Sequence, residues 1–137
     1  MKVEGRCHCG AVAFEAEVDP ATVAVCHCAD CQKQSGSAFR TNVPASADRF
    51  HLLKGTPRRY IKTADSGNRR VHAFCENCGT PIYACAIENP QTYSLRVGTL
   101  DQRQELGRPA RQIWTKRQLP WLHELDTVPG VEGQPKG

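Results

Sequence analysis

Apolar and polar residues alternate with a period of two along much of the chain. Val12, Phe14, Ala16 and Val18 interleave with Ala13, Glu15 and Glu17, which predicts a half-buried strand ending at Asp19-Pro20. Thr22 to Val25 is a short β-branched run leading into Cys26. Ala38 to Val43 and Phe50 to Leu53 read as two more strands, with Pro44 between them, and Lys54-Gly55-Thr56-Pro57 reads as a turn. Arg58 to Thr63 and Arg69 to Phe74 flank the turn signal Asp65-Ser66-Gly67-Asn68. Pro81 to Ile87 and Thr92 to Leu100 form the next pair, and Gln112 to Thr115 adds a short strand. Helical signals are scarce. Ala29 to Ser35 allows two turns stopped by Gly36, and Leu119 to Leu125 allows one, with Pro120 in its first turn. Many short strands separated by Gly and Pro turns predict a small antiparallel all-β fold, sandwich-like or barrel-like, with minimal helix.

Composition changes this picture in one respect. Leu, Ile, Val and Phe make up only about 19% of the 137 residues, so the apolar core is expected to be thin. The net charge of +4 is too small for wholesale disorder. Something besides burial is expected to hold the fold, and the eight cysteines are the obvious source. One domain over residues 1–128 is expected. A loose tail follows over 129–137, where Pro and Gly dominate.

No run of ~18 apolar residues offers a membrane-spanning helix. The N-terminal Met1-Lys2-Val3-Glu4-Gly5 lacks the apolar stretch of a secretory signal, so a cytoplasmic location is expected, with thiols or metal thiolates rather than disulfides. Basic residues cluster at Arg58-Arg59 and Arg69-Arg70 and recur at Arg103, Arg108, Arg111, Lys116 and Arg117. They read as a solvated face. An anionic small molecule suits them better than nucleic acid, which needs a denser basic stripe.

Seven cysteines fall in three tight groups: Cys7-His8-Cys9, Cys26-His27-Cys28-Ala29-Asp30-Cys31 and Cys75-Glu76-Asn77-Cys78. A C-x-x-C turn brings two sulfurs within tetrahedral reach of one ion, and a C-x-C in extended chain puts both sulfurs on one side. Thiolates favour zinc over the alternatives, because the spacings differ from those of common ferredoxins. Seven ligands divide naturally as four plus three. Cys7, Cys9, Cys75 and Cys78 would close one structural site, and Cys26, Cys28 and Cys31 would leave a position open at a catalytic-type one. Spacing alone leaves open a zinc ribbon pairing Cys28 and Cys31 with Cys75 and Cys78. His8 and His27 point away from the sulfurs and read as exposed or hydrogen-bonded neighbours. Cys85, alone in its strand, reads as a small buried side chain, with a fourth ligand for the second site as the alternative.

Three thiolates and one zinc sum to a single negative charge, a donor set that suits exchange of a thiol ligand better than activation of water. A bound thiol could add to, or leave, a small carbonyl compound, with basic residues receiving the carboxylates of a thiol cofactor.

The stretches Gly5-Arg6-Cys7-His8-Cys9-Gly10-Ala11-Val12-Ala13-Phe14, Cys26 to Phe39 and Phe74 to Pro81 resemble the glutathione-dependent formaldehyde-activating enzyme family, also called the GFA or centromere-protein-V-like domain. The resemblance runs from about Gly5 to Leu125 and includes the late Lys116 to Trp121 stretch. It implies a zinc-bearing, Mss4-like β fold with two zinc ions per chain. The structural one would sit on Cys7, Cys9, Cys75 and Cys78, and the catalytic-type one on Cys26, Cys28 and Cys31. It also implies a carbon–sulfur lyase acting on glutathione-type adducts of formaldehyde or another small aldehyde. The alternative is a non-catalytic zinc module for a protein or nucleic-acid partner. No motif singles out a glutathione pocket. Arg40 is in position to reach a substrate carboxylate, but its strand position favours an ordinary surface arginine. Trp114 and Trp121 either cap the site or, the favoured reading, pack in the core.

Overall fold

A computed structural model describes residues 1–136. Ten strands form two sheets: β1 (Lys2–Arg6), β2 (Ala13–Glu17), β3 (Ala24–Cys26), β4 (Arg40–Ser46), β5 (Phe50–Lys54), β6 (Arg58–Thr63), β7 (Arg69–Phe74), β8 (Pro81–Ala86), β9 (Thr92–Arg96) and β10 (Arg111–Ile113). A three-stranded sheet has the order β1-β2-β5, and a seven-stranded sheet the order β10-β3-β4-β9-β8-β7-β6. Every pairing is antiparallel except β10 with β3, which run parallel over three residues. The one α-helix among the described residues, α1 (Ala29–Ser35), ends at Gly36 as its sequence predicts. Leu119 to Leu125 forms part of a longer 3-10 stretch, Pro120–Thr127.

The core lies between the sheets. Val3, Phe14, Ala16 and Phe50 of the small sheet meet Val43, Val71, Ala73, Tyr83, Cys85 and Leu95 of the large one. Phe50 joins the layers, with its ring 5.4 Å from those of Phe14 and Tyr83 and 4.4 Å from that of Tyr93. Period-two alternation therefore assigns Tyr60, Lys62, His72, Ala84, Ser94, Arg96, Asn42 and Arg40 of the large sheet to the opposite face.

Three expectations change here. β1, not anticipated from the sequence, pairs with β2 from Lys2↔Glu17 to Arg6↔Ala13. Pro44 lies inside β4 rather than between two strands. It pairs with Ser94 of β9 at a point where β3, matched only to Arg40–Asn42, no longer runs alongside, so its missing N–H costs no ladder bond there. Trp114 and Trp121 are both exposed rather than packed in the core. The chain from Pro129 to Lys136 is exposed and carries neither helix nor strand, and Gly137 of the expected tail lies outside the described residues.

Candidate functional site

Two turns of similar build create the first cysteine group. Gly10 follows Cys9 and donates its amide to the Cys7 carbonyl at 3.1 Å; Gly79 follows Cys78 and donates to the Cys75 carbonyl at 2.7 Å. Both glycines have φ of 82°, a left-handed conformation that side-chain-bearing residues resist, so each turn can fold its cysteines back on one another. The turns face each other across the fold, and the Sγ atoms of Cys7, Cys9, Cys75 and Cys78 all lie within 4.8 Å of one another. Cys7 Sγ is 3.7 Å from Cys9 Sγ, which is 3.8 Å from Cys75 Sγ. A tetrahedral ion with metal–sulfur bonds of about 2.3 Å sets its sulfurs about 3.8 Å apart. The donor set therefore fits zinc, and these separations are far beyond a disulfide bond of about 2.05 Å. The Val12 amide donates to Cys7 Sγ at 3.2 Å, and the Thr80 hydroxyl lies 3.2 Å from Cys78 Sγ. The Thr80 hydroxyl, with backbone amides of Thr80 and Cys9, draws the Cys78 thiol down to about 5, ready to ligate as a thiolate.

The second group consists of Cys26 at the end of β3, Cys28 at the N-cap of α1 and Cys31 in its first turn, again with all three sulfurs within 4.8 Å. The fold thus joins Cys75 and Cys78 to Cys7 and Cys9, and the zinc-ribbon pairing with Cys28 and Cys31 does not occur. The Cys31 amide donates to Cys28 Sγ at 3.3 Å. Burial works against ionisation of Cys28. The Cys31 amide, the neighbouring thiols and the Lys62 charge outweigh it and leave Cys28 below the usual thiol range. Burial and the two neighbouring thiols push Cys31 up to about 12, and burial also raises Cys26. Three packed thiols resist shared ionisation unless a cation joins them, which is the electrostatic signature of a metal-binding set.

His27, between Cys26 and Cys28, is 1% exposed and is not part of the sulfur group. Its Nε2–H donates to Gln112 Oε1 at 2.7 Å, tying β3 to β10. His8 is exposed. Cys85 packs in the core between the sheets and joins neither group.

A cleft of about 530 Å³ opens beside the second group on the outer face of the large sheet. Asp30 of α1 reaches its rim and pairs with Lys62 of β6 at 2.8 Å. Its apolar wall includes Tyr60, Phe74 and Pro81. Arg40 and Arg96 line it from below and are 5% and 8% exposed. Arg40 sits opposite Cys26 in the β3–β4 register, so the expectation of a surface arginine is corrected: β3, β4 and α1 enclose it. Arg96 donates from Nη1 to Asn42 Oδ1 at 2.7 Å and from Nη2 to His72 Nδ1 at 3.2 Å. His72 can accept because burial first, and the charges of Arg96 and Arg40 next, lower it to about 4 and leave it neutral near pH 7. Lys62 is held cationic chiefly by its hydrogen bond to Asp30.

Sequence reasoning named the seven clustered cysteines and Arg40 but missed Lys62, His72 and Arg96. Arg96 had one usable signal: it stands between Leu95 and Val97 in an otherwise apolar strand end. The arginines at 58, 59, 69, 70, 103, 108, 111 and 117, with Lys116, are exposed as expected of a solvated face.

The sequence model of the glutathione-dependent formaldehyde-activating enzyme family matches residues 2–117, a span holding both cysteine groups and the cleft. The chain belongs to this family. It is 26% identical over 121 residues to a Halomonas elongata protein that carries the provisional name of glutathione-dependent formaldehyde-activating enzyme, covering 82% of this chain and 73% of that one. It is 26% identical over 94 residues to an uncharacterised lyase of Schizosaccharomyces pombe, covering 66% of this chain and 62%, less than two thirds, of that protein. A crystal structure of a Rhodobacter sphaeroides protein shares the fold, with a TM-score of 0.61 and 24% identity over 80% of this chain and 98% of the other. GFA-family membership and the names of these relatives support a lyase-type enzyme. No helix of the described residues is long and apolar enough to cross a membrane.

Proposed function

We propose that this protein is a zinc-dependent carbon–sulfur lyase acting on adducts of a glutathione-type thiol with formaldehyde or another small aldehyde. The observation that carries the reading is the three-cysteine group: three sulfurs within 4.8 Å, beside a basic cleft, with no fourth cysteine or histidine completing the set among the described residues. Cys26, Cys28 and Cys31 would hold the ion in the catalytic-type site, and Cys7, Cys9, Cys75 and Cys78 would hold the structural one. When bound at the three-cysteine site, zinc would supply an exchangeable position that favours the thiolate form of a substrate sulfur.

The chain's own residues supply positioning and charge. In the synthetic direction the thiol sulfur bonds to the carbonyl carbon, and the thiol proton ends on the carbonyl oxygen; the lyase direction reverses both changes. Lys62, kept protonated by Asp30, sets a fixed positive charge beside the cysteines. The apolar side chains at Tyr60, Phe74 and Pro81 would exclude part of the water from the bound adduct.

The decisive assay follows S-hydroxymethylglutathione formation with zinc-quantified protein and subtracts the spontaneous rate. The expected result is a rate above the protein-free control that Cys28→Ser abolishes. Fully zinc-loaded protein that does not exceed the control would overturn the proposal.

A further inference from the structure

Of the ten large apolar side chains that stand exposed among the described residues, six lie between Ile113 and Val131. Scattered exposed apolar residues are ordinary on a protein surface, but a run this dense is not. Its centre is the 3-10 stretch Pro120–Thr127, where Trp121 is 46% and Leu125 50% exposed and only Leu122 reaches partial burial. A 3-10 helix rarely runs beyond about four residues, because its hydrogen bonds are poorly aligned. Eight residues of it need a packed apolar face, which this copy of the chain does not supply. The segment is nonetheless anchored. Gln32 of α1 donates to the Arg117 carbonyl at 3.0 Å, and the Arg117 amide donates to the Trp114 carbonyl at 2.9 Å. A shallow hollow of about 630 Å³ between Leu119, Trp121 and α1 is open to an incoming side chain.

Charge indicates what covers this face. From Gln118 to Pro135 the chain has three carboxylates, Glu124, Asp126 and Glu132, and no Lys or Arg, although its net charge is +4. Lys116 and Arg117 stand exposed immediately before this acidic stretch. None of Lys116, Arg117, Glu124 and Asp126 takes part in an ion pair among the described residues. The segment is therefore basic at one end and acidic at the other, with Trp121 between. Two such segments laid antiparallel about a two-fold axis set each basic turn against an acidic one and the apolar residues against each other. That is the self-complementarity an isologous interface requires. A lipid surface or a nucleic acid is the poorer occupant, since both would present phosphate to the three carboxylates.

We propose that the segment from Trp114 to Val131 is the interface of a two-fold dimer, covered by the same segment of a second copy of this chain. Trp121 and Leu125 are its apolar anchors. Lys116 and Arg117 at one end, and Glu124 and Asp126 at the other, fix the antiparallel orientation. The inference is independent of the lyase reading.

The test exploits the chain's tryptophans, Trp114 and Trp121, both of which lie in this face. Sedimentation velocity of the zinc-quantified full chain, under reducing conditions, is expected to show a species of twice 15.2 kDa that dissociates on dilution. Over the same concentrations, tryptophan emission is expected to shift to the red and acrylamide quenching to rise. Leu125→Asp is expected to weaken the dimer about tenfold or more at unchanged zinc content. The pair Glu124→Lys with Asp126→Lys, and the pair Lys116→Glu with Arg117→Glu, are each expected to leave the chain monomeric where wild type is dimeric. Mixed in equal amounts, the two doubly substituted chains are expected to form a heterodimer, because their ends then match. The fluorescence measurement uses the wild-type chain, so it stands even if a variant fails to fold. Four results would each overturn the proposal: a wild-type chain monomeric at every concentration; a dimer whose tryptophan signals stay constant on dilution; folded charge-swapped chains that still dimerise alone; or folded swapped chains that fail to pair when mixed.

Discussion

Lys62 Nζ lies 2.8 Å from Asp30 Oδ2, so an edge strand of the large sheet grips the short helix that Cys28 caps and Cys31 enters. The contact links sheet geometry to thiol chemistry, because the same ammonium group favours the Cys28 thiolate. Replacing Lys62 by Met is expected to raise the Cys28 thiol. In metal-free protein, the pH midpoint for alkylation of Cys28 should move upward relative to wild type. The pair is partly exposed, so its loss should cost only about 0–1 kcal/mol at neutral pH. Asp30 is held below the usual carboxylate range by Lys62, so its contribution is present above that range and fades as pH falls through the lowered value.

The two cysteine groups should respond differently to the same substitution. Cys28 is a helix N-cap, and serine is a preferred N-cap residue, so Cys28→Ser should keep the fold while lowering zinc from two ions to one. Cys75 is 2% exposed and belongs to the group that joins turns nearly seventy residues apart. A structural zinc is worth on the order of 10 kcal/mol of apparent binding energy, comparable to the whole stability of a domain. Cys75→Ser should therefore unfold the chain or sharply lower its Tm. Metal analysis beside circular dichroism on both variants checks this. Equal loss of structure in both would count against separate roles.

Gly5 faces Phe14 across the β1–β2 pair so closely that an added Cβ would fall 2.2 Å from Phe14 Cζ. The ring is 1% exposed and held by Phe50, so it cannot swing aside cheaply. Gly5→Ala should destabilise by about 1–3 kcal/mol through overpacking. Urea titration should show a lower midpoint at unchanged slope.

His72 should remain neutral well into the acid range. With its folded value near 4 against an ordinary 6.5, the unfolded chain takes up the proton first as pH falls. Its contribution is complete above about 6.5, declines between the two values, and stops changing once folded His72 protonates. NMR titration of the imidazole should place its transition near 4. Arg96→Gln should raise that value while burial keeps it below 6.5.

The strands most legible in the sequence were those with strong punctuation. β6 and β7 begin and end where expected because Asp65-Ser66-Gly67-Asn68 leaves the chain little choice but to turn. β1 was illegible because Lys2-Val3-Glu4-Gly5-Arg6 contains one large apolar residue, Val3, and owes its extended form to the partner strand β2. Pro44 misled for a related reason. A proline forbids a strand only where its N–H is needed, and that depends on where the neighbouring strand stops.

The sequence by itself determined the cysteine chemistry. Ligand spacing within each motif is set by two or three residues of local chain, and the glycines after Cys9 and Cys78 already encode the turns. Spacing also suggested the division into four and three but left open a pairing of Cys28 and Cys31 with Cys75 and Cys78; the fold decided between them, since long-range pairing sets Cys75 beside Cys9 and leaves Cys26, Cys28 and Cys31 together. The cleft lay wholly with the tertiary structure. Arg40, Lys62, His72 and Arg96 come from four strands, and no local pattern records that sheet order makes them neighbours. Nor does it record burial, which makes His72 neutral and leaves two arginines without counter-charge.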